Sequence, residues 1–275
     1  MARTTSLNIL LSTTGKDMLA EQYGAVISNV QKNCISQIIK NTALSGDPEA
    51  GSVEAKRFEN VSSNAYGTAR SGGAGQLVKV TPVTININQD REVIREVEQK
   101  DVTMYGVEDL IAREAASAQK TMTRELEKAF FAEAVTAGTA YTPASGVTAI
   151  EEIAEGLIQA VETVSNDFVD GVERDMITVV CNPATYGKLR TYFDKVNDGG
   201  AQSEGYATFH GVKVFSSVYL PNGTNAVAMA DGSIAQPVKP VLYGPKQIEL
   251  SEAIGFGLFF HYGTKAVAPD LIFKY

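Results

Sequence analysis

Between Ser52 and Asn88 the chain carries a pattern that few folds can accommodate. Its second half, Leu77 to Asn88, places Val83, Ile85 and Ile87 in alternation with Thr84, Asn86 and Asn88, the period of two that marks a strand with one covered face. The first half leads from Ser52 to Ser62. The two are separated by Tyr66-Gly-Thr-Ala-Arg-Ser-Gly-Gly-Ala-Gly-Gln76, with four glycines between Gly67 and Gly75. These residues predict a long two-stranded ribbon with a flexible glycine tip. Pro82 has no N–H to give a ladder, so it suits an exposed edge or a bulge. Two arms of about 12 residues at 3.3 Å each would reach on the order of 40 Å. A lone hairpin of that kind is marginally stable in water and leaves edges that proteins normally cover. Either the ribbon folds back onto its own domain, or a second copy of the chain packs against it. The pattern favours an oligomer with a projecting hairpin.

The remaining segments surround this ribbon in a definite order. Residues 1–50 read as a polar-to-mixed arm with two short helical patterns, one around Asp17–Tyr23 and one through Val26, Val30, Ile35, Ile38 and Ile39, closed by Asp47-Pro48. Residues 106–135 predict the longest helix, because Val107, Leu110, Ile111, Ala115, Ala118, Met122, Leu126 and Ala129 form one apolar stripe. Residues 149–245 read as an α/β unit. It has a helix from Ala149 to Ser165, a strand at Ile177–Cys181, a helix opened by Asn182-Pro183, and strands near Val212–Tyr219 and Ala226–Ala230. A polar, glycine-rich linker is expected at 197–205, and Asn222-Gly223 suits a tight turn. Short strands are expected at Ile248–Leu250, Phe256–Tyr262 and Lys265–Phe273.

Composition narrows the function. With 32 acidic against 24 basic residues the net charge is −8, a poor match for a surface that grips phosphate. Cys34 sits in a mixed helical stretch without metal spacing, Cys181 in the apolar run Ile177–Cys181 predicts a buried thiol, and no disulfide framework is expected in a reducing compartment. The run Ile9–Leu11 is far shorter than a signal-peptide core, and no segment approaches the roughly 20 apolar residues of a membrane span; a soluble protein is expected. A hydrolase triad needs a base histidine, and only His210 and His261 exist, both placed like structural residues; no Gly-x-Ser-x-Gly elbow is present. Leu11-Ser-Thr-Thr-Gly-Lys16 is similar to a phosphate loop but has Leu10 where the first glycine belongs. Glu151 and Glu152 suit a helix N-terminus rather than an acid–base pair. No catalytic residue, cofactor or metal site is expected.

The order and spacing of these segments resemble the HK97-like capsid fold of tailed-phage major capsid proteins over nearly the whole chain. The residues that carry the resemblance are Val179-Val-Cys-Asn-Pro-Ala-Thr-Tyr-Gly-Lys-Leu189 and Phe209-His-Gly-Val-Lys-Val-Phe-Ser-Ser-Val-Tyr-Leu-Pro-Asn-Gly223. They look like the A-domain strand with its Asn-Pro helix start, and the later A-domain strand ending in Leu-Pro. The resemblance implies an α+β protein with an N-arm (1–50), an extended hairpin or E-loop (51–90), a P-domain with a long spine helix (91–140), an A-domain (141–235) and a return to the P-domain through C-terminal strands (236–275).

It implies self-assembly into pentamers and hexamers of an icosahedral phage head around double-stranded DNA that is packaged without sequence-specific binding. The subunit would be a virion protein assembled in the host cytoplasm, with no membrane partner. Only about 50 residues precede the E-loop, which points to a separate scaffolding protein. A portal and a decoration protein are further candidate partners. By the same resemblance the E-loop would lie over a neighbour's P-domain, making Arg57, Phe58, Tyr66, Arg70 and Lys79 the candidate intersubunit contacts. Some relatives cross-link an E-loop lysine to a neighbour; Lys56 and Lys79 are read here as solvated or ion-paired. The alternatives are an encapsulin-like bacterial compartment shell and a soluble α/β enzyme with an unrecognised site.

Overall fold

The computed structural model describes residues 6–63, 77–196 and 208–275. The glycine tip expected at 67–75 and the linker expected at 197–205 lie outside the described residues.

A helix of 31 residues, α4 (Val107–Ala137), runs through the molecule; at 1.5 Å per residue it is a rod of about 46 Å. Its buried face is the expected stripe: Val107, Ile111, Ala115, Ala118, Met122 and Leu126, continued by Phe130, Phe131 and Ala134. Two sheets share this spine. Toward its N-terminal side lies an antiparallel sheet in the order β11 (Val238–Gln247), β12 (Ile254–Tyr262), β4 (Gln89–Val97). Phe256, Leu258 and Phe260 of β12 join the spine residues in one core. Toward its C-terminal end Phe130, Phe131 and Ala134 pack with Val227, Met229 and Ile272. Those three belong to a six-stranded mixed sheet ordered β5 (Thr139–Ala140), β14 (Ile272–Lys274), β9 (Ala226–Ala230), β6 (Ile177–Cys181), β8 (Val212–Ser216), β7 (Thr208–Phe209).

All five residues of β6 are buried, as a central strand with both faces covered requires. Helix α5 (Ile150–Glu162) covers this sheet with Ala154, Leu157, Ile158 and Val161. Helix α6 (Pro183–Val196) begins as its Asn-Pro start predicts: Asn182 Oδ1 accepts the Thr185 N–H at 2.8 Å.

Several expectations are corrected. The two short N-terminal patterns are mostly one helix, α1 (Thr13–Asn33), which buries Leu19, Tyr23, Val26 and Val30 against the spine and β12; Tyr23 meets Phe256 edge-on at 6.3 Å. Only a five-residue helix, α2 (Ile35–Ile39), follows. The helical part of the expected arm is therefore docked on its own chain. The phosphate-loop-like run is the start of α1, where Ser12 Oγ accepts the Gly15 N–H. Gly15 sits so close to Ile9 O that a Cβ would lie 2.2 Å from it, so this glycine serves packing.

The strand expected at Ile248–Leu250 is a turn with Leu250 at φ +60°; the strand lies upstream, at Val238–Gln247. Instead of one strand from Lys265 to Phe273, β13 (Lys265–Ala266) and β14 are separated by a 3₁₀ turn at Pro269–Leu271. The ribbon, expected to end at Asn88, ends its pairing at Asn86, and Gln89 and Asp90 already pair with Tyr262 and His261 in the three-stranded sheet.

Candidate assembly interface

The ribbon consists of β2 (Ser52–Phe58) and β3 (Val80–Asn86), paired antiparallel from Ser52–Asn86 to Phe58–Val80, with the two-residue β1 (Leu44–Ser45) on the far edge of β2. Pro82 lies on β3, an outer strand of this sheet, where a missing donor costs no ladder bond.

The lower half of the ribbon is anchored to its own chain. Val53, Ala55 and Ile85 are buried with Ala235 and Val267. Lys265 Nζ donates to Thr84 O at 3.1 Å. Gly263 approaches the ribbon foot so closely that a Cβ there would lie 2.1 Å from Asn86 O. In this half the ribbon folds back onto its own domain, the alternative that its pattern did not favour. Beyond that half exposed apolar side chains follow: Phe58 is 58% exposed, Val61 78%, Leu77 86%, Val78 82% and Val80 39%. Phe58 and Val80 are cross-strand partners on the opposite face of the ribbon from Val53, Ala55 and Ile85, and exposed apolar side chains in such number mark an interaction surface. Glu59 N–H still donates to Lys79 O at 3.2 Å, so the pairing continues past Phe58.

The candidate contact residues separate accordingly. Phe58 lies on the uncovered stem. Lys79 is 68% exposed and forms a cross-strand ion pair with Glu59 at 3.2 Å, a contact worth little in water. Arg57 is engaged within its own chain, pairing with Asp270 at 2.5 Å. Tyr66 and Arg70 lie outside the described residues.

Titratable groups elsewhere are held by structural partners. Glu155 lies against Arg174 and His210, whose hydrogen bonds outweigh its partial burial and bring its pKa from 4.5 to about 2; Glu162 braces the same guanidinium at 2.5 Å. His261 Nδ1 is 2.6 Å from Asp90 Oδ1 across the β12–β4 pair. Burial pushes the Cys34 thiol up to about 11 and that of Cys181 to about 12, which makes both poor nucleophiles. Glu127, on the buried side of the spine, accepts the Ile35 N–H at 2.9 Å. Its pKa is raised by burial, which outweighs that bond and those from Cys34 and Ser217. Among the described residues no group of three or more His, Cys, Asp or Glu is placed to hold a metal ion, and no helix is long and apolar enough to cross a membrane.

Residues 89–269, from the first residue of β4 almost to the end of the chain, match the phage capsid protein family. The chain belongs to that family. As a phage capsid protein it has a structural role in the virion shell, and its spine helix, ribbon and two sheets are those of the HK97-like capsid fold. No curated protein matches it in sequence.

Solved structures give the same fold at low identity. A chain of a solved structure of Mycobacterium phage Che8 is 16% identical with a TM-score of 0.57, covering 82% of this chain and 84% of its own. The capsid of an empty GTA particle is 14% identical with a TM-score of 0.60, covering 88% of each chain. A virus-like particle from Pyrococcus furiosus is 13% identical with a TM-score of 0.58, covering 92% of this chain and 97% of its own. The family match starts after the ribbon, so the strand pair and its exposed stem belong to the part of this capsid protein that the match does not cover.

Sequence reasoning missed Asp270, which holds Arg57, and Asn166, which donates to the same carboxylate. Arg57 and Asp270 are 213 positions apart, and no local pattern joins them.

Proposed function

We propose that this chain is the major shell subunit of an icosahedral phage head, assembling as pentamers and hexamers around double-stranded DNA. The observation that carries this reading is the uncovered apolar stem above a firmly anchored ribbon base. Phe58, Val61, Leu77, Val78 and Val80 lie on or just beyond a strand pair whose foot is fixed, so that a second copy of the chain can cover them. Lys79 lies beside them as an orienting charge, and Tyr66 and Arg70, outside the described residues, are further candidate contacts by the family resemblance. The segments 1–50, 51–90, 91–140 with 236–275, and 141–235 act as arm, E-loop, P-domain and A-domain. The role is mechanical rather than enzymatic, which suits buried thiols and histidines committed to ion pairs.

The excess of acidic residues suits an inner wall that does not adsorb the genome it encloses. Assembly takes place in the host cytoplasm with a scaffolding protein and a portal as partners, and with a decoration protein as a further one. The second reading, an encapsulin-like compartment, rests on the likeness to the virus-like particle from Pyrococcus furiosus over most of both chains.

Electron microscopy of the chain expressed with and without its neighbouring genes tests both. Closed shells or capsomers are the expected outcome, with DNA as the content of particles from infected cells. Particles filled with one co-purifying protein would favour the compartment, and a compact monomer at high concentration would overturn both readings.

A further inference from the structure

The boundary between the buried base and the exposed stem of the ribbon is occupied by one carboxylate. Asp270 sits in the 3₁₀ turn at Pro269–Leu271, immediately before β14 of the six-stranded sheet. Its Oδ2 accepts from Arg57 Nη2 on the ribbon and from Asn166 Nδ2 on the α5–β6 loop, each at 2.5 Å. The Arg57 guanidinium also lies over the Phe168 ring of that loop, 4.3 Å from its centre. Asn166 fixes the loop in turn, its Oδ1 accepting the N–H groups of Phe168 and Val169 at 2.9 and 3.0 Å. One residue beyond the ladder, Asn60 N–H donates to Asp167 O at 2.8 Å. Three segments far apart in sequence therefore converge where the ribbon leaves the body.

Burial alone would raise the Asp270 pKa, but the bonds from Arg57 and Asn166 outweigh it and hold the carboxyl below its ordinary range. The second oxygen, Oδ1, is buried without a hydrogen-bond partner among the described residues. The carboxylate thus depends on Arg57 for its charge balance, and removing the arginine would leave a half-buried anion facing a loop and a sheet edge.

We propose that Asp270 is a positioning residue for assembly: by gripping Arg57 and Asn166 together it sets the angle at which the ribbon leaves the six-stranded sheet, so that the stem is already aimed when a second copy arrives. This inference rests on the shell reading. The buried base, Val53 and Ile85, fixes where the ribbon starts. It lies below Phe58 and does not reach the loop, so the direction of the stem depends on the contacts at Arg57 and Asn60. Pre-organisation of this kind removes an ordering cost from each intersubunit contact, and a shell repeats that contact in every subunit.

The test compares the full-length wild type with Arg57→Gln, Asn166→Ala and Arg57→Lys by two readouts: amide hydrogen exchange of the dissociated subunit, and the yield of closed particles in sedimentation. In Arg57→Gln, exchange should rise about tenfold in β2 and in residues 166–170 while β6 and β12 stay as in wild type. Particle yield should fall several-fold, with Asn166→Ala intermediate and Arg57→Lys restoring part of both. Wild-type yield in Arg57→Gln and Asn166→Ala would overturn the inference. So would exchange rising equally in β6 and β12 of Asn166→Ala, since the contact would then be general stabilisation. If the wild type forms no particles at all, the shell reading fails, and the exchange comparison alone decides whether Asp270 holds the ribbon.

Discussion

The base and the stem of the ribbon belong to one hairpin and carry the same kind of residues, yet the base is covered and the stem is not. At the base Val53, Ala55 and Ile85 are covered by Ala235 and Val267 of the same chain. A few residues farther along, Phe58, Val61, Leu77 and Val78 are at least as apolar and more than half exposed. Burying a side chain of this size is worth about 1.5–3 kcal/mol, so the base is paid for within the monomer while the stem holds a comparable gain in reserve. Alternation marks the face that carries Val53, Ala55 and Ile85; Phe58 and Val80 fall on the other face of the pair, and no period says whose surface covers them.

The largest expected effect sharpens that contrast. Ile85→Ala should lower unfolding stability by about 3 kcal/mol in denaturant titrations, the cost of a cavity in a packed site. Phe58→Ala should change it by less than about 0.5 kcal/mol, as for an exposed position. If Phe58→Ala costs as much as Ile85→Ala, the stem is covered by its own body and the distinction collapses.

The second effect is on assembly rather than folding. A Phe58→Ser, Val80→Ser double variant should keep wild-type thermal stability as a dissociated subunit, yet need roughly tenfold more protein to form particles, about 1.4 kcal/mol per contact. Light scattering against concentration measures this. An unchanged threshold would mean that the interface between copies lies elsewhere.

The sequence made the spine helix plain, because its apolar stripe repeats over 31 residues and nothing competes with that period. It also gave the Asn-Pro helix start, where one side chain and one ring fix the geometry locally. It concealed β4 and β11 for opposite reasons. Of the nine residues of β4 only Val97 is buried, so β4 shows no apolar period and owes its place to the ladder with β12. Strand β11 contains Pro240, Gly244 and Pro245, all breakers by rule, and tolerates them as an outer strand with a register shift between Tyr243 and Lys246. Helix α1 reads as two short patterns because its residues are weakly amphipathic; packing of Leu19, Tyr23, Val26 and Val30 on the spine and β12 holds it together. At the interface, the exposed stem was legible as a strand and the grip on Arg57 was not, since Asn166 and Asp270 come from elements that only the tertiary fold brings to the ribbon.

The smallest effect follows from the charge at the boundary. The folded pKa of Asp270 lies below its ordinary 3.8, so its contribution is fully present above that value and is lost as the pH falls through the depressed one. Both partners are partly exposed, which limits the contribution to about 1 kcal/mol. Glu127 in the core shifts the other way: its raised pKa means that the stability it contributes is complete in acid and declines as the pH rises through the folded value. Acidification therefore loosens the ribbon at the boundary between base and stem while relieving the spine. Spin labels at Lys56 and Glu173, both exposed, should report a distance distribution that broadens in Asp270→Asn at pH 7 and, in wild type, on acidification through the Asp270 titration, while the circular dichroism of the helices stays constant. A distribution as narrow in Asp270→Asn as in wild type would mean that the buried base alone fixes the ribbon, and base and stem would then differ only in cover and not in how they are held.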